Sequence, residues 1–186
     1  MNCKPIIVVA GEPYSIFLEI FFKTKKKCTF KKPIILIASK KLVYLQMKKL
    51  GFNFDLNLIN FDKLDLKSLK KNQINLIDVN FKFNKIFDKI SDKSNSYIDK
   101  SFKIALKILK KENCSGLING PVSKKHFLKG KSLGITEYLS KKVKRNNDVA
   151  MIIFNKKLSV SPLTTHLALK NVNKHISKKK IYTHVK

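Results

Sequence analysis

Arginine is nearly missing from this chain. Of 40 basic residues only Arg145 carries a guanidinium, and with 12 acidic residues the formal charge is +28. Proteins that read phosphates or base edges use the planar guanidinium fork as well as lysine, so a basic chain built on lysine alone argues against specific nucleic-acid recognition. Lys, Asn, Ile and Phe are abundant together, as AT-rich codons produce, and the charge then follows from base composition rather than from a ligand. Loose, salt-sensitive attraction to polyanions is all that such charge implies. Cysteine is scarce too. Cys3, Cys28 and Cys114 are odd in number and lack CxxC spacing, which excludes a disulfide framework and a zinc knuckle and fits a reducing cytoplasm. Long apolar runs are absent: residues 5–10 are too brief for a signal-peptide core, and residues 16–22 are broken by Glu19 and far shorter than a membrane span. A soluble cytoplasmic protein with no membrane partner is expected.

Several signatures of chemistry are missing as well. Gly130-Lys131-Ser132 looks like the end of a phosphate-binding loop, but its required first glycine falls at Lys125. The turn after the first strand, Gly11-Glu12-Pro13-Tyr14-Ser15, is no GxGxxG fingerprint. Neither a GxSxG elbow nor an HExxH helix occurs.

What remains is a chain of 186 residues, 44% hydrophobic, long enough for one sizeable core. Residues 5–10 are a continuous run rich in β-branched residues, bounded by Pro before and Gly11-Glu12-Pro13 after, and residues 33–38 repeat the pattern, the mark of buried strands. A helix is expected from Ser15, and another over residues 40–50, stopped by Gly51. This β-α-β-α alternation, with strands apolar throughout, predicts a mainly parallel sheet covered by helices on both faces. Residues 53–90 read as short strands and loops. The clearest helix spans 96–111, with Ile98, Phe102, Ala105 and Leu109 as its buried stripe, Lys100, Lys103, Lys107 and Lys110 opposite, and Ser96 with Asp99 as its start signal. Residues 116–119 form a short strand running into Gly120-Pro121, at the sheet edge where ligands bind in open α/β folds. Strands over 150–154 and 158–161 place His166 just past a strand end. No internal boundary is assigned within residues 1–186.

His126, His166, His175 and His184 share no close metal-ligand spacing. His126 and His175 read as helix-surface residues. His166 differs, because Thr164 and Thr165 before it offer hydroxyls that can anchor a phosphate or orient an imidazole.

Four segments carry a family resemblance: Gly11-Glu12-Pro13 with Glu19-Ile20; Leu117-Ile118-Asn119-Gly120-Pro121-Val122-Ser123-Lys124; Gly134-Ile135-Thr136-Glu137-Tyr138-Leu139; and Thr164-Thr165-His166-Leu167-Ala168-Leu169-Lys170-Asn171-Val172. In order and spacing they resemble 4-hydroxythreonine-4-phosphate dehydrogenase, over somewhat more than the first half of that family's usual length. The resemblance implies an incomplete three-layer α/β/α fold of the isocitrate and isopropylmalate dehydrogenase type. It also implies NAD-dependent oxidation, with decarboxylation, of 4-phosphooxy-L-threonine to 3-amino-2-oxopropyl phosphate in pyridoxal 5'-phosphate (vitamin B6) biosynthesis. NAD and a divalent metal (Zn, Mg or Co) are the implied cofactors, and a homodimer with a shared active site the implied assembly. His166 becomes a metal ligand and Thr136 a contact to the small phosphorylated substrate. Ile135 stands where the family has a substrate-binding histidine, and its side chain cannot make a hydrogen bond. Tyr14-Ser15-Ile16-Phe17-Leu18 replaces a glycine-rich stretch. The family completes its metal site with two histidines from a carboxyl-terminal half, and His175 and His184 do not match them. Two other readings compete: a non-catalytic remnant of the family, and, on charge alone, a basic nucleic-acid-binding protein.

Overall fold

The two β-branched runs do form strands, β1 (Ile6–Val9) and β2 (Ile34–Ala38), each followed by a helix, α1 (Phe17–Lys27) and α2 (Lys40–Lys49). This computed structural model describes residues 4–112, 114–130, 132–144 and 149–185, so Cys3 and Arg145 lie outside the described residues. Helix α1 starts two residues after Ser15, because the Ser15 hydroxyl closes the preceding turn. It donates to the Glu12 carbonyl at 2.8 Å and accepts from the Phe17 amide at 3.3 Å. Ser39 caps α2 through the Leu42 amide, and Gly51 follows that helix at φ +72, as a glycine stop requires.

The stretch 53–90 supplies two more strands, β3 (Leu56–Leu58) and β4 (Ile74–Asp78), and β5 (Gly116–Asn119) follows. All pair in parallel, in the order β3-β4-β2-β1-β5. Alternate strand residues face opposite sides of a sheet. Val8, Ala10, Leu36, Ala38 and Leu76 pack against Leu18, Phe21, Phe22, Val43 and Met47 of α1 and α2. Ile7, Val9, Ile35 and Ile37 are buried on the other face, which α3 (Asn95–Lys111) covers. The result is a three-layer α/β/α arrangement.

Helix α3 corrects two details of the sequence reading. Ile108 rather than Leu109 completes the stripe, joining Tyr97, Ile98, Phe102 and Ala105. Ser96 and Asp99 do not start the helix: Ser94 holds the cap position, without a capping bond, and Asp99 pairs with Lys103 at 2.8 Å instead. The four lysines opposite the stripe are exposed.

Asn75 on β4 is one of the polar residues buried in the fold. Its Oδ1 accepts from the Lys70 amide and Asn57 Nδ2, both at 2.8 Å, and its Nδ2 donates to the Ile34 and Lys70 carbonyls, both at 3.0 Å. Asn75→Ala leaves those buried partners unserved and is expected to cost about 2–3 kcal/mol in urea unfolding.

The chain divides into two compact units, Met1–Lys129 and Gly130–Lys186. The second contains α4 (Ile135–Val143), the single turn α5 (Leu169–Val172) and α6 (Lys178–Val185). The strands expected over 150–154 and 158–161 reduce to one antiparallel bridge, Ile153 with Val160, bonded at 2.8 and 2.9 Å. A lone two-stranded ribbon has no sheet to rest on and is barely stable by itself; Ile152, Phe154 and Leu158 are 65%, 77% and 70% exposed. No helix among the described residues is long and apolar enough to cross a membrane.

Candidate functional site

Sheet order sets the first region. From β1 the chain goes to β2 on one side, while β5 returns on the other, so the carboxyl ends of β1 and β5 flank the topological switch point. Two glycines let the loops there touch backbone to backbone. Gly11 sits at φ +73, and a β-carbon on it would lie 2.4 Å from the Pro121 carbonyl oxygen. The Gly120 amide donates to the Val9 carbonyl at 2.7 Å, and the Glu12 amide to the Pro121 carbonyl at 2.8 Å. The turn after β1 is thus filled by the chain itself and leaves no glycine cradle for a dinucleotide pyrophosphate.

Glu12 sits behind this crossing, 2% exposed. The Ser94 hydroxyl lies 3.0 Å from its Oε2, while Oε1 has no hydrogen-bond partner among the described residues. Burial pushes the Glu12 carboxyl above the ordinary range, against the Ser94 contact, the nearby Tyr14 amide and the His126 charge. The Tyr14 amide weighs on the charge without meeting hydrogen-bond geometry at Oε1. Outside lies a second layer. Asp92 accepts from Lys129 and stands 3.0 Å from His126 Nδ1, and both partners hold its carboxyl below the usual carboxylate range, Lys129 first. His126 belongs to a π-turn, Lys124–Leu128, opened by Ser123, whose Oγ accepts from the His126 amide at 3.1 Å. Asn95 Nδ2 donates to the His126 carbonyl at 3.0 Å, and Asn95 Oδ1 is buried without a described partner. His126 is therefore half-buried and ion-paired rather than a plain helix-surface residue. The sequence reading missed Asp92 and Ser94; the polar run Ser91-Asp92-Lys93-Ser94 before α3 was the available signal.

On the amino edge of the sheet, a hollow lined by Phe21, Lys25, Lys32 and Lys71 encloses about 10 Å³, room for one water and no substrate.

The residues singled out by resemblance lie in the second unit. Ile135 and Thr136 open α4, both half-buried. Gly134 precedes them without a side-chain capping bond, and a β-carbon there would lie 3.0 Å from a Glu137 carboxylate oxygen. His166 is exposed at φ +56, not past a strand end, because the expected strand is only the single bridge. No hydrogen bond or ion pair joins Thr136 to His166 among the described residues. His175 Nδ1 lies 3.0 Å from the Asn171 carbonyl, and His184 Nε2 lies 2.7 Å from Ser161 Oγ. No group of three or more His, Cys, Asp or Glu among the described residues could hold a metal ion. One exposed imidazole is too few ligands for a divalent cation, so the described residues do not by themselves fit the metal that the resemblance implies.

Comparison with known proteins fits the order of segments. The 4-hydroxythreonine-4-phosphate dehydrogenase of Sulfurihydrogenibium sp. (strain YO3AOP1) is 28% identical over 97% of this chain and 55% of its own length. The enzyme of the same name from Aquifex aeolicus is 26% identical over 98% of this chain and 56% of its own. The chain thus spans about half the length of the curated relatives it matches. Among solved structures, 4-hydroxythreonine-4-phosphate dehydrogenase from Burkholderia phymatum superposes with a TM-score of 0.82 at 16% identity, covering all of this chain and 57% of that one. The Klebsiella pneumoniae enzyme gives 0.80 at 19% identity, over 98% and 57%; both show the shared fold. The sequence profile described as pyridoxal phosphate biosynthetic protein PdxA matches residues 29–186, and the chain belongs to that family.

Proposed function

We propose that this chain carries the amino-terminal part of a dehydrogenase that oxidises 4-phosphooxy-L-threonine with NAD, with decarboxylation, in pyridoxal 5'-phosphate biosynthesis. The observation that carries the reading is the family match across residues 29–186, which contains both the Gly134-Ile135-Thr136-Glu137 and the Thr164-Thr165-His166 segments. Local structure supports a role for the first. Helix α4 opens on a glycine that adds no capping side chain, so its first-turn amides and the Thr136 hydroxyl are suited to a phosphate. Ile135 adds no hydrogen bond there, so Thr136 bears more of the orientation. His166 is the proposed donor to a divalent metal. The rest of that site, and the nicotinamide site, would have to come from chain beyond these residues or from a second subunit.

A homodimer with a shared active site belongs to the same proposal. Among the described residues of Gly130–Lys186 only Ser140 is buried, and Leu169, Tyr182 and Val185 are 89%, 66% and 81% exposed. Apolar surface of this extent gains free energy when another chain covers it.

The test is twofold. NADH formation from 4-phosphooxy-L-threonine is followed with divalent metal, using this chain alone and this chain mixed with the carboxyl-terminal half of the Aquifex aeolicus relative. Calorimetry measures substrate binding to the chain itself. Thr136→Ala deletes a hydrogen bond to a charged group and is expected to weaken substrate affinity roughly 10- to 100-fold, with the unfolding midpoint unchanged. Absence of both binding and turnover in every mixture would sink the enzyme reading. It would favour the second reading, a non-catalytic remnant, which Ile135 at the substrate-binding position supports, since its side chain makes no hydrogen bond.

A further inference from the structure

Ser94 has one proton to give and two oxygens positioned to receive it. Its Oγ lies 3.0 Å from Glu12 Oε2 and 2.9 Å from the Ser91 carbonyl oxygen. A hydroxyl is a single donor with two accepting lone pairs. The Ser91 carbonyl can only accept, and an ionised Glu12 can only accept as well. Two short contacts would then share one hydrogen, on a side chain 2% exposed whose other oxygen meets no donor among the described residues. A buried, half-paired carboxylate is strongly unfavourable.

A proton on Glu12 resolves the count. The Oε2–H then donates to a Ser94 lone pair, and the Ser94 hydroxyl donates onward to the Ser91 carbonyl. Every hydrogen has one acceptor, and the oxygen left over belongs to a neutral carbonyl. We propose that Glu12 is held as the neutral acid and heads a relay, Glu12 to Ser94 to Ser91, that latches the turn after β1 to the start of α3 and releases when the proton is lost. The relay lies at the carboxyl edge of the sheet and depends on the fold, not on the dehydrogenase reading.

The groups around it are consistent with this. From its own turn Glu12 faces Tyr14, whose phenol is pushed up by burial first and by the charges of Asp88 and Glu12 after it. From α3 it faces Tyr97, a buried phenol that accepts from the Ser39 amide at 3.2 Å and is also pushed well up by burial. From the segment before α3 and the turn after β5 come Asp92, His126 and Lys129. The two basic groups there are committed to Asp92, and neither reaches Glu12 by a hydrogen bond or ion pair. Of these two, His126 weighs on the Glu12 charge, after the Ser94 contact and the Tyr14 amide. Burial raises the folded-state value above the unfolded one, so the stabilisation is fully present below the ordinary glutamate range and is lost as pH climbs through the raised value. This is the opposite of the usual carboxylate, which weakens a fold as pH falls.

The experiment follows the Glu12 carboxyl carbon by NMR in the uniformly labelled 186-residue chain as pH is varied, with the signal assigned through bonds from the Glu12 backbone. The expected result is a midpoint above the ordinary glutamate range. A midpoint within or below that range overturns the proposal, and no variant is needed to see it. Ser94→Ala supplies a test of sign. If Ser94 accepts from the acid, removing it lowers the Glu12 midpoint. If Ser94 donates to a carboxylate, removing it raises the midpoint, and a rise or no change overturns the relay. Glu12→Gln, whose amide reproduces the donor, is expected to keep the unfolding midpoint at low pH and to abolish its decline as pH rises; a decline that persists in this variant overturns the latch.

Discussion

Gly120→Ala is expected to cost the Met1–Lys129 unit about 3–5 kcal/mol, a large share of the roughly 5–15 kcal/mol that holds a domain folded. A β-carbon at this position would stand 2.1 Å from the Ala10 carbonyl oxygen, 2.7 Å from its carbon and 2.9 Å from Phe17 Cγ. Two of those atoms are backbone, just past the end of β1, and cannot rotate away as a side chain would. Relief requires the carboxyl ends of β1 and β5 to part, which stretches the 2.7 Å bond from the Gly120 amide and the 2.8 Å bond from the Glu12 amide. Circular dichroism during urea unfolding measures the loss. Gly51→Ala is the control. Gly51, unlike Gly120, has a positive φ, and a β-carbon there meets nothing within 4 Å, so its cost is the left-handed backbone alone, about 1–2 kcal/mol. A Gly120→Ala loss no larger than that of the control would refute the backbone crossing.

The same crossing marks how much of the fold the sequence discloses. Strands β1 and β2 are legible because they are continuous apolar runs that begin beside a proline, β5 because a short apolar stretch runs into Gly120-Pro121, and α3 because its apolar residues recur at three and four. Strands β3 and β4 are not. Asn75 of β4 pairs with Ile35 of β2, about 40 residues back in the chain, and with Asn57 of β3, and it looks like a loop residue until its four side-chain hydrogen bonds are seen. The start of α3 is misread for a related reason: Ser96 and Asp99 have the right spacing for a cap, but tertiary contacts commit Ser94 to Glu12. In residues 150–161 the apolar runs suggest two strands, but the pairing among the described residues is the Ile153–Val160 bridge, since strand propensity measures fit to a half-buried sheet face rather than an intrinsic backbone preference.

The candidate site divides in the same way. Thr136 is legible through the segment resemblance, and its place at the opening of α4 follows from the glycine before it. The Asp92, His126 and Lys129 cluster is not legible, since each residue comes from a segment whose position depends on β5 crossing back beside β1. A lone histidine in sequence carries no information about the carboxylate that will meet it.

Replacing His166 by asparagine is expected to reduce turnover of 4-phosphooxy-L-threonine by at least about 100-fold in the completed protein, with the fold intact. The choice of asparagine follows from the backbone. His166 lies at φ +56, in the left-handed region that asparagine tolerates better than alanine, valine or leucine. His166→Ala would remove the imidazole and also put a residue less suited to the left-handed region in its place, mixing two effects. His166→Asn removes the imidazole alone, and because the residue is exposed its unfolding midpoint is expected to stay within about 0.5 kcal/mol of the parent. Loss of turnover at unchanged stability therefore reports on the ring nitrogen. Turnover that survives the asparagine variant removes His166 from the chemistry, whatever alanine does, and leaves that imidazole as a solvent-facing residue of a bend.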